Sequence, residues 1–243
     1  MAALVDASPT LDARSVPDSE PCDNRHAGCR IDRRDLTVDA NEWDSRYRQA
    51  RDGDHARLWS AVPAKLVQDI VSPWTPGLAL DMASGDGRNA IWLASRGWNV
   101  TGLDFSAEAI GQAREHARAA GVDVDWLVAD ATTWQTEERF DLVTVMYLHL
   151  PEELFRIVLA RAIGWLAPGG HLLVLGHDRG NIDAGGPGPG NPDILYTPEL
   201  LSSIVGPKRI LRCETVSRDL ATDPESPAET GGVALDTVLV AIC

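Results

Sequence analysis

Residues 80–90 read Leu80-Asp81-Met82-Ala83-Ser84-Gly85-Asp86-Gly87-Arg88-Asn89-Ala90. An apolar run gives way to small residues and then to a segment able to start a helix, so the stretch predicts a strand, a tight turn and a helix. Small residues let the backbone approach a bound molecule, and the first turn of a helix offers N–H groups that no intrahelical carbonyl takes. Gly85-x-Gly87-x-x-Ala90 also satisfies the fingerprint of a dinucleotide-binding turn, and Asp104 follows at the roughly 20-residue distance of a ribose-binding acid.

Two ligand classes fit such a turn. A dinucleotide brings a pyrophosphate, which wants N–H donors and no anion nearby, whereas S-adenosylmethionine brings an ammonium and a sulfonium. Asp81 and Asp86 stand where a diphosphate would sit, so the carboxylates favour the cationic ligand. Taken singly, Asp86 also reads as a solvated turn residue and Asp81 as a helix-cap partner.

Outward from this turn, short apolar runs alternate with segments of helical period, the pattern of βαβ units around a parallel sheet. Strands are expected at residues 78–82, 100–105, 124–129, 142–147, 171–176, 211–217 and 233–242. A helix over 107–120 places Ala109, Ile110, Ala113, Ala117 and Ala120 on one face, with Ser106 as N-cap and Gly121 as its stop. Another follows Pro151 with Glu152 and Glu153 in its first turn, buries Leu154, Ile157, Val158, Ala162 and Trp165, and ends at Pro168-Gly169-Gly170 before the fifth strand. The expected fold is a Rossmann-like doubly wound, mostly parallel seven-stranded sheet with helices on both faces. Residues 1–40 lack a sustained apolar period and read as a flexible tail. Residues 41–75, with Trp43, Tyr47, Leu58, Trp59, Val62, Leu66 and Ile70 near helical spacing and Asp54 and His55 in a break, read as a helical lid. Residues 180–196 hold a Gly/Pro loop that should leave the fifth strand and face it.

The bulk numbers exclude some functions. With 22 Lys+Arg against 36 Asp+Glu, the net charge of -14 repels phosphate backbones, so no nucleic-acid partner is expected. No apolar run suggests a membrane partner or a signal peptide, and a cytoplasmic location is expected. Cys22, Cys29, Cys213 and Cys243 show no metal-binding spacing, and no metal site is expected.

With these residues in order, the chain resembles the class I S-adenosylmethionine-dependent methyltransferases over nearly all of residues 41–243. Their first-strand motif, D-x-G-x-G-x-G, stands here as Asp81-Met82-Ala83-Ser84-Gly85-Asp86-Gly87, with Ala83 in place of the first glycine. An alanine is tolerable there if its φ stays negative, though it narrows the space above the loop. The resemblance implies that Asp81, Ala83, Ser84 and Gly85 line the cofactor and that Asp104 accepts both ribose hydroxyls. It implies further that Phe105 packs on adenine or ribose, that Asp130 beside Ala131 accepts from the adenine amino group, and that Met146-Tyr147-Leu148-His149 floors the methyl-transfer site. Gly87-Arg88-Asn89, Gly97-Trp98, Gly176-His177-Asp178 and Tyr196-Thr197-Pro198-Glu199 are similar to the tellurite-resistance and thiopurine S-methyltransferase-like group, where Arg88 would meet the methionine carboxylate.

Displacement at a sulfonium needs positioning and dryness more than acid–base help. A thiolate, selenide or oxyanion acceptor needs no base, whereas a phenol or amine would profit from His149 or Tyr147, or from His177 oriented by Asp178. The expected partner is a small-molecule methyl acceptor. Two other readings stay open at this stage: a nicotinamide-dependent oxidoreductase and a non-catalytic S-adenosylmethionine-binding module.

Overall fold

Seven strands build the molecule: β1 (Leu78–Met82), β2 (Asn99–Asp104), β3 (Asp125–Val128), β4 (Phe140–Met146), β5 (Leu166–His177), β6 (Arg209–Asp219) and β7 (Val233–Ile242). They form one sheet in the order β3-β2-β1-β4-β5-β7-β6. The first five run parallel, and β7 is antiparallel to both its neighbours, β5 and β6. The computed structural model describes residues 40–53, 57–58, 60–206, 209–221 and 232–243. The expected tail therefore lies outside the described residues except for Ala40, as do Cys22, Cys29, Asp54, His55 and Trp59.

Side chains alternate along each strand, so a strand covered on both faces must be apolar in both registers. Leu80, Met82, Val143, Val145, Leu172, Val174 and Leu239 face one core with α5 (Glu152–Gly164) and α6 (Pro198–Val205). Ala79, Leu142, Leu173, Leu175, Val238 and Val240 face the other with α2 (Lys65–Val71) and α3 (Arg88–Ser95). Each fully buried aliphatic side chain contributes roughly 1.5–3 kcal/mol of transfer free energy. The doubly wound, mostly parallel sheet is as expected, and its strand order reverses between β1 and β4, the switch point at whose carboxyl end ligands bind in sheets of this kind.

α4 (Ala107–Ala120) begins and ends as expected: Ser106 Oγ accepts from the Ala109 amide at 3.0 Å, and Gly121 takes a left-handed φ of 68°. Two expectations need correction. The buried stripe of α5 is Phe155, Val158, Leu159 and Ala162, an i, i+3, i+4, i+7 set, while Ile157 is 43% exposed. Pro168-Gly169-Gly170 does not precede β5 but lies within it, because Leu166 already pairs with Phe140 and the register slips across this segment. Gly169 turns with φ 80° and donates to the Cys243 carbonyl, so the interruption is stitched to β7's end.

Before β1, α1 (Ala40–Asp52) and α2 supply the helices expected of the lid. Among the described residues no helix is long and apolar enough to cross a membrane.

Candidate active site

Two polar assemblies occupy the carboxyl ends of the central strands. The first follows β1 and β2. Asp81 is fully buried and pairs across the sheet with Thr144, whose hydroxyl donates to Asp81 Oδ1 at 2.7 Å. Burial outweighs that hydrogen bond and raises the Asp81 carboxyl to about 6. Asp104 is buried likewise and raised to about 6 by the same cause, although Gly85 N donates to its Oδ2 and Ser106 N to its Oδ1, each at 2.9 Å. A carboxylate oxygen has more than one lone-pair site, so both oxygens keep acceptor capacity.

The turn between them is tight. Ala83 takes φ 58°, Gly85 56° and Gly87 88°. The condition under which an alanine was tolerable there, a negative φ, is not met, and an L-residue at this φ sits in a region that costs about 1–2 kcal/mol. A Cβ on Gly87 would lie 2.6 Å from the Trp126 ring, and one on Gly102 2.4 Å from it, so this cradle closes to anything but glycine. Asp86 is no solvated turn residue: it is 1% exposed, with Arg57 Nη1 at 3.6 Å and His116 Nδ1 at 3.7 Å from its Oδ2. Its carboxylate is already faced by the Arg57 guanidinium.

Several groups here lack partners among the described residues. Asp81 Oδ2 and Ser84 Oγ are buried without a hydrogen bond, and α3 starts from Gly87 with no side-chain cap on its first amides. A molecule bearing a cationic head and hydroxyl donors would satisfy the two oxygens, since a buried polar atom left unpaired costs about 1–3 kcal/mol. These residues therefore fit S-adenosylmethionine. Arg88, buried on the first turn of α3, lies with its guanidinium carbon 6.0 Å from the Tyr147 ring centre, and burial lowers its pKa. Phe105 is half-buried after Asp104, Ala131 and Met146 are buried, and Asp130 is exposed with its Oδ1 taking the Thr132 amide and hydroxyl at 2.7 and 2.8 Å.

The second assembly gathers residues from β4 to β7. Tyr147 follows β4 with φ 53°, the other non-glycine residue of positive φ among those described. Its hydroxyl donates to Asp236 Oδ2 at 3.1 Å, and burial together with that carboxylate pushes the phenol far above its ordinary range. His177 Nδ1 meets Asp236 Oδ1 at 3.1 Å, the two residues being register partners on β5 and β7. Arg218 Nε donates to Asp236 Oδ2 at 2.8 Å. Burial would raise the Asp236 carboxyl, but His177 and Arg218 outweigh it and hold it below the usual range. His149 stacks on His177, centroids 5.2 Å apart and planes 7° off parallel, and its Nδ1 meets the Ile194 carbonyl at 3.1 Å. Burial, then His177, lowers His149 to about 4.

Tyr147, His149 and His177 are thus brought together, but the expected pairing of His177 with Asp178 fails. Successive strand residues point to opposite faces, and Asp178 instead takes the Thr215 and Thr237 hydroxyls and the Gly180 amide. Asp236 and Arg218 were missed; an acid inside the apolar run of β7 is the signal that could have found the first. The Gly/Pro loop lies against this assembly, with Gly188 so close that a Cβ would sit 2.9 Å from His177 Cδ2. It is anchored rather than loose: Asn181 Nδ2 donates to the Pro187 carbonyl, and Asn181 Oδ1 accepts from Leu235 N. Beside the first assembly, α1 packs on α4, with Asp44 Oδ1 accepting from Ser106 Oγ at 2.5 Å, Gln112 donating to the Tyr47 carbonyl and Tyr47 buried.

Known proteins agree with this geometry. Residues 79–170 match the methyltransferase domain family. The ubiquinone biosynthesis O-methyltransferase of Aeromonas salmonicida is 35% identical over 132 residues, 51% of this chain and 53% of that protein, so the chain spans about half of that relative's length. A solved structure from work on converting a disulfide bond into a thioacetal group in echinomycin biosynthesis superposes with TM-score 0.65 at 21% identity, covering 84% of this chain and 91% of that one. TehB from Haemophilus influenzae gives TM-score 0.61 at 17% identity, covering 72% and 60%. The last two are likenesses of fold alone. The domain match takes in the turn after β1 and the strands from β2 to β4, and marks residues 79–170 as similar to a methyltransferase domain.

Proposed function

We propose that the chain transfers a methyl group from S-adenosylmethionine to a small-molecule nucleophile. The observation that carries this reading is the pair of buried carboxylates, Asp81 and Asp104, flanking a glycine-lined turn whose Asp81 Oδ2 and Ser84 Oγ have no partner among the described residues. Anions in that turn suit a cationic ligand and oppose a diphosphate, which disfavours the nicotinamide alternative. When bound, S-adenosylmethionine supplies a methyl group on a positively charged sulfur.

In this reading Asp104 accepts the ribose hydroxyls, Asp81 and Ser84 with Ala83 and Gly85 hold the amino-acid end, and Arg88 faces its carboxylate. Phe105, Asp130 and Ala131 sit towards adenine, and Met146 floors the methyl position. Tyr147, His149 and His177 line the acceptor side, with α1 and the Gly/Pro loop as walls that keep water out. A small acceptor is supported by the net charge of -14, which opposes nucleic acid, and by the relative named for O-methylation in ubiquinone biosynthesis.

Thermal-shift titration tests the reading directly. S-adenosylhomocysteine should raise the melting temperature in a concentration-dependent way and NADH should not. The converse response would overturn it, and binding without release of S-adenosylhomocysteine from any of a panel of phenols, thiols, amines and tellurite would leave a non-catalytic binding module.

A further inference from the structure

We propose that Asp236 is a positioning residue that holds His177 as a general base, and that the site accordingly takes a small aromatic hydroxyl compound, a phenol, as methyl acceptor. The inference rests on the methyltransferase reading and deepens it. Three donors converge on Asp236: the Tyr147 hydroxyl, the His177 imidazole and the Arg218 guanidinium. A carboxylate accepting from Nδ1 places the ring proton there and leaves Nε2 of a neutral imidazole with its lone pair free. His177 Nε2 has no hydrogen-bond partner among the described residues, and its side chain keeps 15% exposure.

Of the three candidate bases, only His177 has this arrangement. Tyr147 donates its proton to Asp236 and would have to become an anion beside that carboxylate. His149 Nδ1 donates to the Ile194 carbonyl, so its Nε2 is also a lone-pair acceptor, buried and unpartnered. Among the described residues no carboxylate is bonded to the His149 ring to stabilise a proton on it, so its fitting role is to accept from a donor on the bound molecule. A flat ring adjoins the base: the Tyr147 ring centre lies 5.0 Å from that of His177.

The chemistry of the acceptor follows. A thiol, the more acidic and more nucleophilic group, has a small fraction of its anion at hand near neutral pH, whereas a phenol has far less and gains from a positioned base, roughly a hundredfold or more in rate. As the phenol oxygen forms its bond to the methyl carbon, its proton passes to His177 Nε2. The carbon–sulfur pair goes to sulfur, leaving a neutral thioether, and the imidazolium later returns its proton to water. No oxidant or reductant enters.

The test uses the full chain with saturating S-adenosylmethionine and phenols of graded acidity, from 4-nitrophenol to 4-methylphenol, with 2-mercaptoethanol as the thiol. Asp236→Asn should lower kcat on 4-methylphenol by roughly a hundredfold, and less on 4-nitrophenol, with KM for S-adenosylmethionine within about twofold. A second readout needs no turnover: binding of 4-nitrophenol to the S-adenosylhomocysteine complex at mildly acidic pH should strengthen its phenolate absorbance band, and Asp236→Asn should abolish that gain. If Asp236→Asn does not fold, His177→Ala should show the same acidity-dependent loss and recover with added imidazole. Equal losses across the series, no phenolate band, or turnover of the thiol alone would overturn the proposal while S-adenosylhomocysteine still binds. Failure of S-adenosylhomocysteine to bind would instead overturn the reading beneath it.

Discussion

The two halves of the proposed site, for cofactor and for acceptor, differ in how far apart along the chain their parts lie. Asp81, Ser84, Gly85, Gly87 and Asp104 come from one strand–turn–helix–strand unit, and the hydrogen bond that closes it, Gly85 N to Asp104 Oδ2, spans 19 residues. On the acceptor side, Tyr147 reaches Asp236 across 89 residues and His177 reaches it across 59. One half is built by local chain geometry around ligand chemistry that many acceptors share. The other depends on the register of an antiparallel strand, which brings Asp236 opposite His177 and can be refitted without disturbing the turn. The two halves should therefore respond to substitution and to pH separately.

The strongest break of that separation is Asp104→Ala. Hydrogen bonds to a charged acceptor contribute about 1.5–3 kcal/mol, so affinity for S-adenosylhomocysteine should fall roughly tenfold or more by calorimetry. Because Asp104 also takes the Gly85 and Ser106 amides, the melting temperature should drop too, which sequence alone did not suggest. Asp236→Asn should leave that affinity nearly unchanged. If both substitutions weaken it equally, the halves are one unit.

A smaller effect comes from pH. Asp81 and Asp104 are raised to about 6 from an ordinary value of 3.8, so the folded chain holds protons on them between about pH 4 and 6 that the unfolded chain has released. Their contribution to stability is therefore best below pH 4 and declines as pH rises through 6. Ligand binding runs the other way, since the ionised carboxylates are the better acceptors. The rise in melting temperature caused by S-adenosylhomocysteine should grow from pH 5 to pH 7.5, with affinity falling up to about tenfold per unit below the pKa of a required carboxylate. Asp236, held below the usual range, should add nothing in that window. A ligand response flat across it would mean the ligand does not meet these carboxylates.

The same contrast explains what could be read from the chain itself. The strand–turn–helix around Asp81, Gly85 and Gly87 was legible because small residues at fixed spacing mark a tight turn. The seven strands were legible from their apolar runs. β5 was read five residues short at its start because Pro168-Gly169-Gly170 looks like a stop, whereas pairing of Leu166 with Phe140 and the stitch to Cys243 carry the strand through it. On α5, Val158 and Ala162 were read correctly, while Leu154 and Ile157 were taken in place of Phe155 and Leu159 because all are apolar and adjoin the stripe. His177 was recognised but given the wrong partner, since adjacency in sequence favoured Asp178 and strand alternation excludes it. Arg218 and Asp236 carry no local pattern that ties them to His177.

The smallest predicted effect sits where the two halves adjoin. Ala83 and Tyr147 each follow a central strand, β1 and β4, whose Met82 and Val145 are register partners, and both take a left-handed φ. At Tyr147 that conformation comes with a hydroxyl bonded to Asp236, so glycine there would remove a functional contact along with the strain. At Ala83 the side chain is a lone methyl group. Ala83→Gly should relieve about 1–2 kcal/mol of backbone strain while returning about 0.4–1 kcal/mol of entropy to the unfolded chain, a small net gain. For a domain of this size that corresponds to a melting temperature higher by a few degrees at most. Removing the methyl also widens the space above the turn, so affinity for S-adenosylhomocysteine should hold or rise by about twofold, an amount near 0.4 kcal/mol. A fall in both stability and affinity would show that the Ala83 methyl packs against the ligand or the loop, and that the turn after β1 owes its shape to that residue rather than tolerating it.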